Sequence, residues 1–308
     1  MHPPLIALVG PTAVGKTATA IRLCLDVGGE IISADSRLVY RGLDIGTAKP
    51  TPEQRTVVAH HLIDVVDPDQ VLSLAEYQAM AYTAIRDVLA RNRIPFVVGG
   101  TGQWLRAVID GWNVPHVPPD YALRAELEAE AKRVGYQALY ARLASVDQAA
   151  AARIDPRNMR RVIRALEVYQ KTGVPISQQQ RTAQPPYRIL RIGLTLLREL
   201  LYRRADARLE RMLDEGLLDE VQALLDQGYG LDLPAMSGLG YHQIGQYLMG
   251  EISLNEAVSL IKKETHRFIR QQYNWFRLDD STIHWFDVSG DYYPMLTRAV
   301  LEFLTDTK

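Results

Sequence analysis

The sequence predicts an α/β protein in which a mostly parallel sheet is flanked by helices and interrupted by a helical insertion domain. In the N-terminal third, short apolar runs alternate with helical patterns, and a glycine-rich loop directly follows the first of these runs. Such alternation is typical of βαβ units, whose strands run parallel. At 308 residues, of which 47% are hydrophobic, the chain is long enough to bury a large core.

Three strands are predicted in the N-terminal third. They are Leu5 to Val9, Glu30 to Ala34 and Ile94 to Val98. The helix before the third strand starts at the capping-box pattern Ser73-x-x-Glu76, and its apolar residues recur at helical spacing. In open α/β sheets the functional site lies beyond the carboxyl ends of the strands. We therefore expect the segments that follow these strands to form the site.

A proline-rich connector at residues 114–119 ends this pattern, and the sequence from there to about residue 182 is helical without strand signals. The core resumes with a strand at Tyr187 to Leu196. Helices at Glu199 to Leu225 and Ser253 to Leu278 and a last strand at His284 to Val288 complete it. The predicted domains are a P-loop α/β core over residues 1–115 and 185–308 and a helical insertion over 116–184.

The most informative motif is a complete G-x-x-x-x-G-K-[ST] phosphate loop. It reads Gly10-Pro11-Thr12-Ala13-Val14-Gly15-Lys16-Thr17 and directly follows the first strand. Glycines let backbone N–H groups point at phosphate oxygens, Lys16 supplies a positive charge, and the Thr17 hydroxyl can bind Mg²⁺. The loop predicts a phosphate-bearing ligand but does not identify it.

Two polar residues follow the other strands. Asp35 stands just past the second strand, where a carboxylate can face the ligand of a phosphate loop, and it is the best candidate for a general base. The alternative is an aspartate that caps a helix or a turn. Thr101 follows the pair Gly99-Gly100 and offers a hydroxyl to a phosphate oxygen or a metal-bound water. The adjacent His60 and His61 point to different sides of any regular element, which argues against a metal site.

Basic residues recur in three places. In the insertion, Asp155 and Pro156 are suited to start a helix whose cationic face, with Arg160, Arg164 and Lys171, is expected to be free to meet phosphates. A second cationic face is predicted on the helix after Ser253, opposite a set of apolar residues. Its members are Lys263, Arg267, Arg270, Asn274 and Arg277, and the apolar set is Leu254, Val258, Ile261, Phe268 and Trp275. A third cluster comprises Arg203, Arg204 and Arg208. Solvated helix faces are the alternative for each.

Bulk properties exclude several classes of protein. The net charge is −1, so binding to nucleic acid would have to come from the local basic faces. The single cysteine, Cys24, rules out an internal disulfide and suits a reducing compartment. Neither a membrane span nor a secretory signal is recognisable, so we expect a cytoplasmic protein with no membrane association. No obligatory protein partner is evident.

Several strings of residues together resemble one family. They are Gly10 to Thr17, Ser33-Ala34-Asp35-Ser36, Asp44-Ile45-Gly46-Thr47-Ala48-Lys49-Pro50, His60 to Asp64, Val98 to Gly102, Ala152 to Asn158, Arg161 to Val168, Gly240-Tyr241 and Trp275-Phe276-Arg277. The string from Asp44 to Pro50 is far more specific than the phosphate loop. On these residues the chain resembles the tRNA dimethylallyltransferases, also called tRNA isopentenyltransferases. It departs from the family at Gln103-Trp104, where Leu-Tyr is common.

The resemblance implies transfer of a dimethylallyl group from dimethylallyl diphosphate to the exocyclic N6 amine of the adenine immediately 3′ of the anticodon in tRNA. The phosphate loop from Gly10 to Thr17 is implied to bind the donor diphosphate, with Thr17 toward Mg²⁺. Arg204 and Arg208 are implied to hold the leaving diphosphate. Asp35 is implied as the base, and Thr101 as a residue near donor and acceptor. Residues implied to contact the anticodon stem-loop are Asp35, Ser36, Arg37, Leu38, Thr101, Met159, Arg160, Arg161, Val162 and Ile163.

Two other functions are compatible with the phosphate loop. One is an ATP-dependent small-molecule or nucleoside kinase, which would need no RNA. The other is a non-catalytic RNA-binding protein, which would bind tRNA with salt-sensitive affinity and leave it unmodified.

Overall fold

Neighbouring strands run parallel throughout the sheet of the described chain. The computed structural model describes residues 2–179 and 183–306. Within these ranges the strands are β1 (Pro4–Val9), β2 (Gly29–Ser33), β3 (His60–His61), β4 (Ile94–Val98), β5 (Arg188–Thr195) and β6 (His284–Asp287). Their order in the sheet is β3-β2-β4-β1-β5-β6. The α/β prediction is therefore confirmed, and β2, β4 and β1 lie side by side.

Helices connect these strands, and the described stretch of sequence between β4 and β5 contains helices but no strand. In chain order they are α1 (Lys16–Val27), α2 (Pro52–Val57), α3 (Leu74–Ala90), α4 (Gly102–Ile109), α5 (Tyr121–Val134), α6 (Tyr136–Val146), α7 (Gln148–Ala151), α8 (Met159–Thr172), α9 (Ile176–Gln179), α10 (Arg198–Asp214), α11 (Leu217–Asp226), α12 (Tyr241–Leu248), α13 (Leu254–Trp275) and α14 (Tyr293–Thr305). Across the described residues, none of these helices is both long and apolar enough to cross a membrane.

The chain divides into two compact units. Unit 1 comprises the described residues of Met1–Leu72, Glu76–Ile109 and Pro186–Lys308 and contains the sheet. Unit 2 comprises the described residues of Ser73–Ala75 and Asp110–Pro185 and is helical.

The core of unit 1 is built on the apolar central strands. Leu5, Ile6 and Leu8 of β1 are fully buried on alternating sides of the strand, as expected where helices cover both faces of a parallel sheet. Leu23 of α1 and Leu296 of α14 pack into the same cluster as Ile6 and Leu8. This packing gives the strand ends a rigid base.

One strand has no counterpart in the sequence prediction. β3 contains only His60 and His61, too few residues to show an alternating pattern. It is held at the sheet edge by a 2.7 Å contact between His61 Nε2 and Glu30 Oε2, and Arg91 donates to the same carboxylate at 2.6 Å. These histidines therefore support the sheet.

Two helix boundaries differ from the prediction. The segment from Glu199 to Leu225 forms two helices, α10 and α11, because the chain turns at Gly216 with a φ of +100°. The second difference is that α13 ends at Trp275, three residues before Leu278, so Arg277 lies outside the helix. The predicted capping box of α13 is confirmed, since Glu256 N–H donates to Ser253 Oγ at 3.3 Å and Ser253 N–H donates to Glu256 Oε2 at 2.8 Å.

The start of α8 in unit 2 also differs. The prediction placed the helix cap at Asp155 and the first helical residue at Pro156, and this is wrong. Asp155 instead accepts the Arg157 N–H at 2.9 Å in a tight turn. The helix begins at Met159, and its cap is Asn158, whose Oδ1 accepts the Arg161 N–H at 3.3 Å. Asn caps a helix as well as Asp does, and it stands three residues further on.

The cationic face of α8 is only partly free, contrary to expectation. Arg164 donates to the buried Glu167 at 2.6 Å, and Lys171 forms a 2.5 Å ion pair with Asp120. Glu167 also receives two hydrogen bonds of 2.8 Å from Arg124. Arg164 and Lys171 therefore form ion pairs within unit 2. Arg160 remains exposed.

Candidate active site

The phosphate loop connects β1 to α1 at the carboxyl edge of the sheet. Gly10 has a φ of +147°, and a Cβ atom there would lie 2.5 Å from the main-chain oxygen of Leu194, so no other residue fits without a shift. Gly15 has a φ of +103° and leads into Lys16, the first residue of α1. The loop therefore presents the N-terminus of a helix toward a ligand, which is the arrangement that binds anions.

Lys16 is folded onto its own loop. Its Nζ donates to Gly10 O at 3.0 Å and to Pro11 O at 2.7 Å. Burial lowers the pKa of Lys16 to about 8; the nearby Asp35 carboxylate opposes this shift and Arg208 adds to it. An anion bound close to this ammonium group would favour its charged form and raise the pKa of Lys16 again.

Arg208 reaches the phosphate loop from α10. Its Nη2 donates to Thr12 Oγ1 at 2.8 Å, and burial lowers the pKa of its guanidinium while Asp35 opposes that shift. Arg204, one turn earlier, is exposed and does not line the cavity described below. Of the two arginines predicted for the diphosphate, the structure places Arg208 at the loop and Arg204 at the surface.

Gln272, which was not predicted as a site residue, links the loops that follow β1 and β4. Its Oε1 accepts the Thr12 N–H at 2.8 Å and its Nε2 donates to Gly100 O at 3.0 Å. The side chain is only 6% exposed. One signal was present in the sequence: the polar Gln272 stands at helical spacing between two apolar residues, Ile269 of α13 and Phe276 just after it, both of which are buried.

Asp35 and Thr101 stand in the loops that follow β2 and β4, and both line the cavity described below. Asp35 Oδ1 accepts the Arg37 N–H at 2.9 Å, so the carboxylate does cap a turn, while its side chain also lines the cavity. Thr101 Oγ1 accepts the Ser36 N–H at 3.0 Å. The two strand ends approach closely, because a Cβ on Gly99 would lie 2.1 Å from Ala34 O. The turn interpretation and the site interpretation of Asp35 are thus compatible.

These groups surround one cavity of about 420 Å³ within unit 1. Its polar lining includes Thr12, Asp35, Ser36, Arg37, Thr101, Gln103, Arg208, Gln271 and Gln272. Its apolar lining includes Ala205, Leu209, Met212, Leu217, Leu239, Ile261, Phe268 and Trp275. A volume of this size and a mixed lining are typical of small-molecule sites.

Arg37 and Leu38, which follow Asp35 in the chain, form hydrogen bonds with other parts of the protein. The Arg37 guanidinium donates to Pro234 O at 2.5 Å and to Ser237 Oγ at 3.2 Å. Leu38 does not line the cavity, and its carbonyl accepts the Asp64 N–H at 3.1 Å. Of the segment predicted to contact RNA, Ser36 and Arg37 therefore line the cavity and Leu38 supports the loop.

The other predicted RNA-contacting segment starts α8 in unit 2. Val162 and Ile163 are 0% and 4% exposed and belong to the core of that unit. Arg160 and Arg161 are exposed, and Met159 is half-buried. Only the side chains of these last three residues are available at the surface.

The predicted cationic face of α13 is present over most of its length. Lys263, Arg267 and Arg270 are exposed, and Arg270 donates to the Tyr202 hydroxyl at 2.8 Å. Arg277, beyond the helix, pairs with Asp279 at 2.8 Å. Phe268, predicted on the apolar face opposite these basic residues, is 38% exposed and lines the cavity.

The residues at the loop suit a metal that is bound mainly by its ligand. The described parts of the chain contain no group of three or more His, Cys, Asp or Glu side chains placed to hold a metal ion. Thr17, in the first turn of α1, supplies a hydroxyl next to the phosphate loop. Mg²⁺ is commonly held by few protein groups together with phosphate oxygens, so this donor set fits it.

Comparison with known proteins adds a family to this geometry. The sequence profile of the IPP transferase family matches residues 38–279. A tRNA dimethylallyltransferase of Roseiflexus sp. (strain RS-1) is 59% identical over 89% of this chain and 90% of its own length. One from Dehalococcoides mccartyi is 48% identical over 98% and 93%.

Solved structures agree in fold. The tRNA isopentenylpyrophosphate transferase of Bacillus halodurans is 41% identical, with a TM-score of 0.73 over 98% of this chain and 96% of that one. A eukaryotic dimethylallyltransferase acting on tRNA is 26% identical, with a TM-score of 0.80 over 92% and 74%. With relatives this similar over nearly the whole chain, the protein belongs to the tRNA dimethylallyltransferase family.

Proposed function

We propose that this chain transfers a dimethylallyl group from dimethylallyl diphosphate to the N6 amine of the adenine immediately 3′ of the anticodon in tRNA. The observation that carries the proposal is that one cavity within unit 1 joins Thr12 of the phosphate loop and Arg208 to the Asp35 carboxylate. One site thereby offers cationic groups to the leaving diphosphate and a carboxylate that can accept the amine proton.

The donor is assigned to the phosphate loop. Backbone N–H groups at the start of α1, with Lys16 and Arg208, offer positive charge to a diphosphate, and this charge stabilises the negative charge that develops as the C–O bond breaks. Leu209, Met212 and Phe268 are among the apolar residues of the same cavity and offer a surface to the five-carbon chain.

Thr17 is the residue that we assign to Mg²⁺, together with oxygens of the donor diphosphate. When bound there, the ion would add positive charge beside the leaving group. Burial lowers the pKa of Lys16 to about 8, which fits a loop whose positive charge is stabilised when an anionic donor binds.

The acceptor amine is assigned to Asp35. The lone pair of an adenine amine is delocalised into the ring, so the amine is a weak nucleophile. It must also lose a proton as the C–N bond forms. A carboxylate within hydrogen-bond reach can accept this proton. In balance, the C–N bond forms, the C–O bond to diphosphate breaks, and the proton passes to Asp35. The base must leave its stack in the anticodon loop to reach the cavity.

Exposed cationic side chains are proposed to bind the anticodon stem-loop. They are Arg160 and Arg161 of α8 and Lys263, Arg267 and Arg270 of α13. Contacts of this kind are electrostatic, so binding should weaken steeply with added salt.

Mass spectrometry of an unmodified tRNA tests the proposal. After incubation with the protein, Mg²⁺ and dimethylallyl diphosphate, we expect one prenyl mass increment on the adenine 3′ of the anticodon. Asp35→Asn should retain donor binding and lose about 10² to 10⁴ in kcat, the usual contribution of a general base. The matched control is Asp69→Asn, an exposed aspartate away from the cavity.

Two results would count against the assignment. Without a mass increment in the wild-type reaction, the proposed transfer fails, and ATP-dependent phosphorylation of a nucleoside would indicate a kinase instead. If Asp35→Asn turns over as fast as Asp69→Asn, Asp35 is not the base.

A further inference from the structure

The connection between β2 and α2, residues 34–51, carries Asp35 and part of the cavity wall without a helix or a strand. Gly46 and Thr47 of this connection line the cavity, as does Asp35. A long loop that presents functional groups needs support from its surroundings.

Glu220 in the first turns of α11 holds the far part of this connection. Its Oε2 accepts the N–H groups of Asp44 at 3.0 Å and Ile45 at 2.7 Å, and its Oε1 accepts the N–H of Gly46 at 3.2 Å. The Tyr241 hydroxyl donates to Oε1 at 2.5 Å. One carboxylate therefore accepts from three successive backbone amides and one phenol.

Three consecutive N–H groups that converge on one point form an anion-binding nest, and here the anion is a side chain of the same protein. Hydrogen bonds to an ionised carboxylate are stronger than those between neutral groups. Burial, reinforced by the Glu220 charge, raises the pKa of Tyr241, so the phenol stays a donor. Glu220 thus fixes the path of the chain from Asp44 to Gly46.

Tyr241 joins this arrangement to the cavity. Its ring packs on Gly46 so closely that a Cβ there would lie 2.6 Å from a ring carbon, and both residues line the cavity. Lys49, further along the connection, donates to Asp44 Oδ1 at 2.5 Å and to Asp64 Oδ1 at 2.6 Å. Asp44 is therefore held by Glu220 through its N–H and by Lys49 through its side chain.

The near part of the connection is tied to the segment between α11 and α12. Arg37, two residues after Asp35, donates to Pro234 O and Ser237 Oγ. Glu220 and Tyr241 tie the far part to α11 and α12. The connection that carries Asp35 is thus tied at Arg37 and at residues 44–46 to one region of the chain, which comprises α11, α12 and the segment between them.

We propose that Glu220 is a positioning residue for the acceptor adenine, acting through the wall from Asp44 to Thr47 and Tyr241. This rests on the proposed function, in which Asp35 on the same connection takes the amine proton. Across the described residues, the bonds made by the phosphate loop, Arg208 and Gln272 do not involve Glu220 or residues 44–47. The role is therefore assigned to the acceptor and not to the donor.

Steady-state kinetics and amide hydrogen exchange of Glu220→Ala test the proposal. We expect exchange at Asp44 to Gly46 to speed up about tenfold or more, and kcat/KM for tRNA to fall about tenfold to a hundredfold, while KM for the donor changes less than about twofold. Glu220→Gln, which retains one acceptor oxygen, should lie between wild type and Glu220→Ala. Asp219→Ala, in the same turn of α11 but exposed, is the matched control.

Tyr241→Phe provides a second variant, since it removes one hydroxyl and keeps the ring on Gly46. It should lower kcat/KM for tRNA less than Glu220→Ala does, and its effect should largely vanish in the Glu220→Ala background, because both changes break the same bond.

The proposal is overturned if exchange and tRNA kinetics of Glu220→Ala match those of Asp219→Ala, or if the donor KM changes while the tRNA kinetics do not. Failure of the proposed function is separate: the wild-type protein would then leave tRNA unmodified. In that case faster exchange in Glu220→Ala would still establish the contact, and the acceptor role would be rejected.

Discussion

The phosphate-loop motif identifies Lys16, and the structure shows which groups surround its ammonium group. The motif predicted a lysine beside the phosphates, and the structure adds that its ammonium rests on the carbonyls of Gly10 and Pro11. Asp35, Thr101 and Arg208 were also predicted, because each follows a strand or lies on a basic helix. Gln272 was not, since its partner Thr12 is 260 positions away and nothing local encodes that contact. Glu220 was missed for the same reason, as Asp44 is 176 positions away.

The lowered pKa of Lys16 predicts a pH dependence of donor binding. The free protein loses this proton near pH 8, whereas a bound diphosphate favours the charged ammonium. Donor affinity should therefore be constant below about pH 8 and fall above it, by roughly tenfold per pH unit, because binding then requires proton uptake.

Calorimetric titration with dimethylallyl diphosphate between pH 7 and 9 measures this dependence. Lys16→Ala is the control, and it should bind weakly at every pH without the additional loss above pH 8. An affinity that stays level to pH 9 in the wild-type protein would show that Lys16 keeps its proton or does not meet the donor.

At the level of elements, strands were easier to predict than the starts and ends of helices. The apolar runs of β1, β2 and β4 are buried by the fold and so are visible as pattern. The start of α8 was predicted three residues early, because Asp155 and Asn158 are equally good caps and only the contacts of the folded chain decide. The break between α10 and α11 depends on one residue, Gly216.

The buried carboxylate of Glu167 is expected to stabilise unit 2 through α8. Burial alone would raise the pKa of Glu167, but hydrogen bonds from Arg124 and Arg164 outweigh it and lower that pKa. Glu167→Ala would leave both guanidinium groups without this partner and should lower the free energy of unfolding of unit 2 by about 3 kcal/mol.

Hydrogen exchange in peptides from α5 and α8 reads this stability directly. Glu130→Ala, which breaks an exposed pair with Arg142, is the control and should cost less than about 1 kcal/mol. Because the Glu167 pKa is lowered, its contribution should be present near neutral pH and be lost as the pH falls through the folded-state pKa. Equal protection in the two variants would contradict the role of Glu167.

For the whole molecule, the fold class and the family could be predicted from the strings of residues distributed along the chain. The layout of the cavity could not, because it depends on how α10 and α13 meet the strand ends. In the structure, α10 brings Arg208 and α13 brings Gln272 to the phosphate loop, and apolar residues of the same helices line the cavity. We therefore expect donor and acceptor to share this one cavity.

A crystal structure with a non-reactive thio-diphosphate analogue of the donor, Mg²⁺ and an anticodon stem-loop tests this claim most directly. We predict the diphosphate on residues Gly10 to Thr17 with Arg208, and the N6 amine of the adenine within hydrogen-bond reach of Asp35. A diphosphate bound away from the phosphate loop, or an adenine whose amine faces no part of Asp35, would contradict the account.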